Sequence, residues 1–186
     1  MNANAQTTTG GISLISINSL PMRALAVITG SLLLWLSAKV QVPFWPVPMT
    51  LQVLVVLGLG AALGARMAVA TVGLYLAEGA LGLPVFASGG GLAYMTGPTG
   101  GYLLGFLLAA AFVGRFAAGR GLVGTLAVML AGVALIYIPG VTWLASFTGF
   151  DKALALGVAP FITGDVLKAA IAAGAVHGAW SMKRRG

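Results

Sequence analysis

The sequence predicts an all-α integral membrane protein with six transmembrane helices and both termini in the cytoplasm. Composition, apolar segments and the placement of basic residues each support this prediction. Of the 186 residues, 59% are hydrophobic and 7% are charged, and the mean hydropathy is +1.02. Soluble domains do not reach these values. The absence of cysteine and the single histidine exclude a disulfide framework and argue against a metal site of thiolates or imidazoles.

Six segments are long and apolar enough to span a membrane, because a helix rises about 1.5 Å per residue across about 30 Å of hydrocarbon. Proline and glycine separate the segments. Pro84 follows the third, Pro139-Gly140 is expected to close the fifth, and Pro160 suits the opening turn of the sixth. The predicted segments are 23–40, 48–64, 66–83, 100–118, 121–139 and 160–182.

The chain divides into a loose N-terminal tail, 1–22, and a single six-helix transmembrane domain, 23–186. The tail has no basic residue before Arg23, so it lacks the charged region of a signal peptide. A short interfacial helix is expected at Ile12–Ile17.

Basic residues predict the orientation. An even number of helices places both termini on one side, and Lys39 and Lys152 fall on the other. By the positive-inside rule the first side is the cytoplasm. The outer connections are long and rich in Trp, Phe, Pro and Gly, so loops with a function are expected outside. The basic residues assigned to the cytoplasmic side are Arg23, Arg66, Arg115, Arg120, Lys183, Arg184 and Arg185.

Two opposite charges lie near the start of the sixth segment, in "FITGDVLKAA". Asp165 and Lys168 are three positions apart, so they project from nearly the same helix face. A charge at membrane depth costs several kcal/mol unless it is paired or hydrated, which makes both residues candidates for function. Lys39 and Glu78 are expected at a similar height. The four charges fit either a pocket for a small ligand with one carboxylate or two internal salt bridges.

Two outer loops carry candidate ligand contacts. The glycine-rich run at 89–101 reads "GGGLAYMTGPTGG" and either supplies backbone N–H groups and Tyr94 to a ligand or is a flexible connector. It is not a nucleotide-binding P-loop, because no Lys-Ser/Thr follows its last glycine. The proline-stiffened run "VPFWPVPMTLQ" places Phe44 and Trp45 next to Gln52 and is expected to form a lid.

Small residues at four-residue spacing allow helices to approach closely in lipid. Most are expected to pack the bundle, and one exposed stripe is a candidate for docking a partner. His177 lies about 120° around the sixth helix from Asp165 and is interpreted as structural. Trp143 and Trp180 are typical of an aromatic belt. The pairs are Ala26/Gly30, Gly60/Gly64, Gly101/Gly105 and Ala170/Gly174/Gly178.

Four motifs occur together in a characteristic order and spacing: "PVPMTLQ" (46–52), "LGLPVFA" followed by "GGG", "GPTGGYLLGF" (97–106) and "FITGDVLKAA". As a set they resemble the BioY family, the biotin-binding S components of energy-coupling-factor vitamin transporters. The resemblance covers about 23–182. It implies a six-helix protein of the prokaryotic cytoplasmic membrane that captures biotin from outside. Its implied partners are a transmembrane coupling protein and two ATPase subunits, docked on the first helix through Ala26 and Gly30.

The resemblance also implies roles within the site. Asp165 is expected to accept hydrogen bonds from the ureido N–H groups of biotin, and Lys168 to meet either the ureido oxygen or the tail carboxylate. Tyr94, Gln52 and Glu78 are further candidate contacts. The candidates for apolar walls or a lid are Phe44, Trp45, Phe86 and Trp143.

Two other functions stay open from the residues alone. One is capture of another vitamin by the same architecture. The other is a cation-coupled carrier in which Asp165 or Glu78 cycles a proton. An enzyme is not expected, because no nucleophile with its base and no metal cluster is visible at membrane depth. Apart from biotin as substrate, neither a cofactor nor nucleic acid is expected.

Overall fold

The computed structural model describes residues 19–185, with side chains as far as Lys183. Within this range eight helices pack together, and one small hairpin precedes the second helix. The interfacial helix predicted at Ile12–Ile17 lies outside the described residues. The elements are α1 (Leu20–Lys39), β1 (Gln41–Val42), β2 (Met49–Thr50), α2 (Gln52–Leu63), α3 (Ala65–Ala80), α4 (Leu92–Met95), α5 (Gly100–Phe116), α6 (Leu122–Thr148), α7 (Phe150–Gly157) and α8 (Ile162–Arg185).

The helices confirm an all-α membrane protein. In the described part of the chain, α1 and α6 are each long and apolar enough to cross a bilayer. Helices α7 and α8 make a third span if this pair, bent by 49°, counts as one. Helices α2 and α5 are apolar but shorter. The count of six transmembrane helices and the cytoplasmic termini therefore remain predictions.

The second predicted segment begins later than expected. Residues 49 and 50 form β2, which pairs antiparallel with β1, so that Gln41 lies opposite Thr50 and Val42 opposite Met49. Three prolines at 43, 46 and 48 explain the late start, since proline removes a backbone donor and restricts the residue before it to extended conformations. Helix α2 therefore begins at Gln52.

The fifth predicted segment was ended wrongly at Pro139. Helix α6 continues through this proline to Thr148. Transmembrane helices tolerate proline where neighbouring helices and side chains satisfy the disturbed backbone. Gly149, with φ +81°, ends the helix. Helix α7 then occupies much of what was predicted as an outer loop.

Glycine permits a close helix contact between α5 and α6. A Cβ at Gly105 would lie 2.7 Å from the Ile136 Cα, and one at Gly101 would lie 2.3 Å from the Pro139 carbonyl oxygen. Only hydrogen fits at these two positions, as expected where small residues let helices approach. The contact brings the first turns of α5 beside the middle of α6, and both contribute to the cavity described below.

The predicted docking face on α1 is corrected at Gly30. This residue is buried, and a Cβ on it would lie 2.5 Å from the Thr71 Cγ2 of α3. Ala26, four residues earlier on the same face, is only half-buried. Gly30 therefore serves the internal contact between α1 and α3. Small residues at this spacing allow close packing, but sequence spacing cannot tell an internal face from an external one.

Candidate functional site

A cavity lies at one end of the helix bundle. About 530 Å³ of space there is not filled by protein atoms, and part of it is open to solvent. Its wall comes from the starts of α2, α5 and α8, the later part of α6 and the connections before α2 and α5. The lining residues are Val47, Pro48, Thr50, Gln52, Val53, Ala87, Tyr94, Thr99, Tyr102, Leu103, Phe106, Ile136, Tyr137, Phe161, Asp165 and Lys168.

The charged pair of α8 lies in this wall. The Lys168 ammonium donates to Asp165 Oδ1 at 2.8 Å, as the three-residue spacing predicted. Asp165 is 2% exposed and Lys168 is 9% exposed. Of the three N–H donors of Lys168, one is used by Asp165, and no other acceptor for it is present among residues 19–185. The cavity therefore presents unused cationic donors beside a carboxylate.

Tyr137 of α6 holds the other oxygen of this carboxylate. Its hydroxyl donates to Asp165 Oδ2 at 2.7 Å. Each carboxylate oxygen thus has one protein donor, and each keeps capacity to accept from a ligand. Sequence analysis missed Tyr137, because an aromatic residue in an apolar helix carries no signal that its hydroxyl reaches another helix.

Gln52 lines the cavity and belongs to a hydrogen-bond network in the wall. Its amide nitrogen donates to the Tyr75 hydroxyl at 2.8 Å, and its amide oxygen accepts from Thr50 Oγ1 at 3.2 Å. Tyr75 in turn donates to the Val85 carbonyl at 3.1 Å. The network ties α2 to α3 and to the connection that follows α3. Gln52 is therefore fixed in one orientation at the cavity surface.

Tyr94 also lines the cavity, on the short helix α4. Its ring stacks on Phe86, with centroids 5.0 Å apart, and Phe86 meets Tyr75 edge to face at 5.5 Å. Burial raises the pKa of the Tyr94 hydroxyl above its ordinary value, so the group stays protonated and can donate. Phe86 is 1% exposed and supports Tyr94 from behind. Phe86 was predicted to form part of the cavity wall or lid, but it does not line the cavity.

Glu78 does not line the cavity. Its carboxylate accepts from the Ser31 hydroxyl at 2.5 Å, which joins α3 to α1. Lys39 likewise binds elsewhere, since its ammonium donates to the Phe86 carbonyl at 2.6 Å. The structure does not assemble the four expected charges into one cluster. Of the four residues, Asp165 and Lys168 on α8 line the cavity, and Glu78 and Lys39 do not. A similar predicted height in the membrane does not show which charged residues share a site.

Three predicted aromatic residues lie near the cavity without lining it. Phe44 packs against the lining residue Phe161, with ring centroids 6.1 Å apart. Trp45 is 81% exposed. The Trp143 indole N–H donates to the Gly97 carbonyl at 2.9 Å and so fastens the connection before α5 to α6. Phe44 fits the predicted lid, whereas Trp45 and Trp143 do not form cavity walls.

The remaining lining residues escaped sequence analysis. Tyr102 contributes its ring to the wall, and its hydroxyl donates to the Gly157 carbonyl at 2.9 Å. Leu103, Phe106 and Ile136 form apolar wall around the close contact of α5 and α6. Such residues are indistinguishable from core residues in sequence. One available signal was the motif "GPTGGYLLGF", which contains three of the four but was used only for the family resemblance.

Comparison with known proteins places the chain in a family. The family model described as BioY matches residues 7–185. A probable biotin transporter BioY of Pyrococcus horikoshii is 46% identical over 136 residues, which cover 73% of this chain and 82% of the relative. The biotin transporter BioY of Thermotoga maritima is 39% identical over 145 residues, covering 76% and 85%.

A solved structure supports the same assignment at the level of fold. The crystal structure of the S-component for biotin from an ECF-type ABC transporter matches with a TM-score of 0.72 and 24% identity, over 90% of this chain and 95% of that one. Family match, relatives and fold agree with the resemblance found in the motifs. The chain belongs to the BioY family.

Proposed function

We propose that this protein captures biotin from outside the cell and serves as the substrate-binding S component of an energy-coupling-factor transporter. Support comes from relatives named biotin transporters at 46% and 39% identity. The observation that carries the proposal is the buried Asp165–Lys168 pair in the wall of a cavity of about 530 Å³. Biotin combines a small apolar bicycle, a polar ureido group and a carboxylate, which suits an apolar cavity with one charged pair.

The ureido group fits the carboxylate side of the pair. Asp165 accepts one bond at each oxygen, from Lys168 and Tyr137, and retains lone pairs that two ligand N–H groups can use. Hydrogen bonds to an ionised acceptor are about twice as strong as neutral ones. Asp165 therefore favours a ligand that has two adjacent N–H donors. A ligand without such donors would leave the buried carboxylate short of partners.

The ligand's oxygen fits the cation. Lys168 has two N–H donors that no residue of the range 19–185 accepts, and burying an ion incompletely solvated costs several kcal/mol. A carbonyl or carboxylate oxygen of biotin would remove part of that cost. Whether the ureido oxygen or the tail carboxylate binds Lys168 follows from the orientation of the bicycle. The pair is therefore a preorganised polar site that a ligand completes.

Transport requires a source of energy that the chain is not expected to contain. The sequence carries no P-loop motif, so ATP hydrolysis is assigned to the coupling protein and ATPase subunits of an energy-coupling-factor module. We assign the chain to the cytoplasmic membrane of a prokaryote as a multi-pass protein with no catalysis of its own. In this orientation the cavity opens outward, because the basic helix ends lie at the other end of the bundle.

Equilibrium binding of radiolabelled biotin to the purified full chain tests the proposal. Saturable binding at one site per chain is expected, with displacement by unlabelled biotin and none by riboflavin or thiamine. Asp165→Asn should weaken this binding. Its matched control is Asp151→Asn, since Asp151 at the start of α7 is exposed and outside the cavity. Displacement by another vitamin in place of biotin would keep the architecture but assign a different substrate.

A further inference from the structure

A second concave surface lies at the opposite end of the bundle from the substrate cavity. It is an open groove of about 530 Å³ where α5 ends and α6 begins. The cavity is built from the starts of α2, α5 and α8, whereas this groove is built from the last turns of α5 and the first turns of α6. The groove residues are Phe112, Phe116, Arg120, Gly124, Ala127, Val128 and Ala131.

The groove is an apolar trough between two helices. Gly124, Ala127 and Ala131 share one face of α6 through their three- and four-residue spacing, and their small side chains make a shallow floor. The rings of Phe112 and Phe116 on α5 form the wall, with centroids 4.9 Å apart. Phe116 is 42% exposed. An open apolar trough that runs along a helix can accept an acyl chain.

Two arginines lie at the end of this trough. The Arg120 Nε donates to the Phe116 carbonyl at 2.6 Å, and the other four N–H groups of its guanidinium have no acceptor among residues 19–185. Gly124 allows this position, since a Cβ there would lie 3.2 Å from the Arg120 Cβ. The Arg115 guanidinium lies 5.6 Å from the centre of the Phe116 ring. Both cations are thus arranged around one aromatic residue.

This end of the bundle contains no acidic side chain to neutralise them. The sequence has three acidic residues. Glu78 is near the end of α3, Asp151 in the first turn of α7 and Asp165 in the first turn of α8, all at the cavity end. The first turn of α6 also has no acidic residue and no side-chain cap, so its N–H groups add positive potential. A countercharge must come from another molecule.

We propose that the groove binds an anionic phospholipid, with one acyl chain in the trough and the phosphate on Arg115 and Arg120. Guanidinium groups match the geometry of a phosphate and bind it through paired hydrogen bonds. Basic pockets between helices at the cytoplasmic surface are suited to anionic headgroups. The trough alone would accept any lipid, so the arginines are the source of selectivity. The site is separate from the substrate cavity and does not depend on the identity of the transported molecule.

Native mass spectrometry of the full chain in detergent tests this proposal. Dioleoyl phosphatidylglycerol and dioleoyl phosphatidylcholine have the same acyl chains and differ in net charge. We expect one tightly bound phosphatidylglycerol and a preference of about thirtyfold over phosphatidylcholine, near the sum of two arginine contacts at a membrane surface. Inorganic phosphate should not compete at the same concentration, because it lacks the acyl chain. Equal binding of the two lipids, or equal competition by phosphate, would overturn the proposal.

Variants locate the site. Arg120→Gln should reduce the preference for phosphatidylglycerol about fivefold. Its control is Arg66→Gln, which removes the same charge from an exposed arginine at the same end but outside the groove and should change the preference little.

Ala127→Phe should fill the trough and weaken the binding of both lipids. Its control is Ala175→Phe, at an exposed alanine on α8. Identical effects of the two arginine variants would mean nonspecific attraction. If Arg120→Gln left lipid binding intact but abolished association with partner subunits, the groove would be a protein contact.

Discussion

The Tyr137 hydroxyl donates to Asp165 Oδ2 at 2.7 Å and joins α6 to the first turn of α8 at the cavity wall. This bond fixes the rotation of the carboxylate whose other oxygen binds Lys168. Tyr137→Phe should therefore weaken biotin binding about tenfold, the equivalent of one lost hydrogen bond to a charged group. The dissociation constant from isothermal titration calorimetry of the purified chain measures the effect.

The control for Tyr137→Phe is Thr142→Val. It also removes a hydroxyl from α6, but this hydroxyl is exposed and donates to the backbone of its own helix. Biotin affinity should be unchanged in this variant. Equal affinities of both variants and the parent chain would show that Tyr137 does not position the carboxylate for a ligand.

Asp165→Asn should weaken biotin binding by at least about tenfold while the protein remains folded and inserted. The substitution replaces an ionised acceptor by a neutral amide and leaves the 9%-exposed Lys168 without its countercharge. Calorimetry measures affinity, and a monodisperse size-exclusion profile checks folding. Asp151→Asn, which removes an exposed acid from α7, should retain the parent affinity. Unchanged affinity in Asp165→Asn would remove this residue from the site.

Asp165 and Lys168 should act as a unit in binding. Residues in direct contact show coupling of about 0.5–3 kcal/mol in double-mutant cycles, whereas independent residues add to within about 0.5 kcal/mol. We expect the combined Asp165→Asn and Lys168→Gln variant to lose less affinity than the sum of the two single losses. Binding measured for all four proteins gives the coupling. Additive losses would mean that each residue binds the ligand without influence from the other.

The charged pair could be predicted from sequence because an ion in an apolar segment has few alternatives to function or pairing. Asp165 and Lys168 stand out against their neighbours, and helix periodicity places them on one face. Tyr94 and Gln52 were found because polar groups follow Gly- and Pro-rich connections. In each case a local contrast in the sequence carried the information.

The other features of the site depend on tertiary contacts, which the sequence does not show. Glu78 and Lys39 show the same contrast as Asp165, yet they bind Ser31 and the Phe86 carbonyl outside the cavity. Nothing local distinguishes these cases. The passage of α6 through Pro139 likewise depends on its neighbours, because the local rule predicts a helix end there. Helix existence follows from periodicity and hydropathy, but helix neighbours do not.

Gly105→Ala should destabilise the protein by about 1–3 kcal/mol, the usual cost of overpacking. The new Cβ would meet the Ile136 backbone at 2.7 Å and push α5 from α6. Because Phe106 and Ile136 line the cavity, biotin affinity should fall as well. The thermal unfolding midpoint in detergent measures stability. Gly58→Ala on α2 is the control, since its Cβ would meet no atom within 4 Å, and a midpoint at or above that of the parent chain is expected.

Phe44 is expected to slow the escape of a bound ligand. Its ring packs on Phe161 at 6.1 Å, and Phe161 lines the cavity, so the hairpin loop between β1 and β2 rests on the cavity wall through this pair. Aromatic pairs contribute about 0.5–1.5 kcal/mol beyond their buried area. Phe44→Ala should therefore speed biotin dissociation about three- to tenfold and change the association rate less, as expected for a lid.

The control is Trp45→Ala. It removes the larger neighbouring ring, which is 81% exposed, and should leave the dissociation rate unchanged. Pulse-chase release of labelled biotin distinguishes the two, and equal rates in both variants would show that the loop does not close the cavity through Phe44.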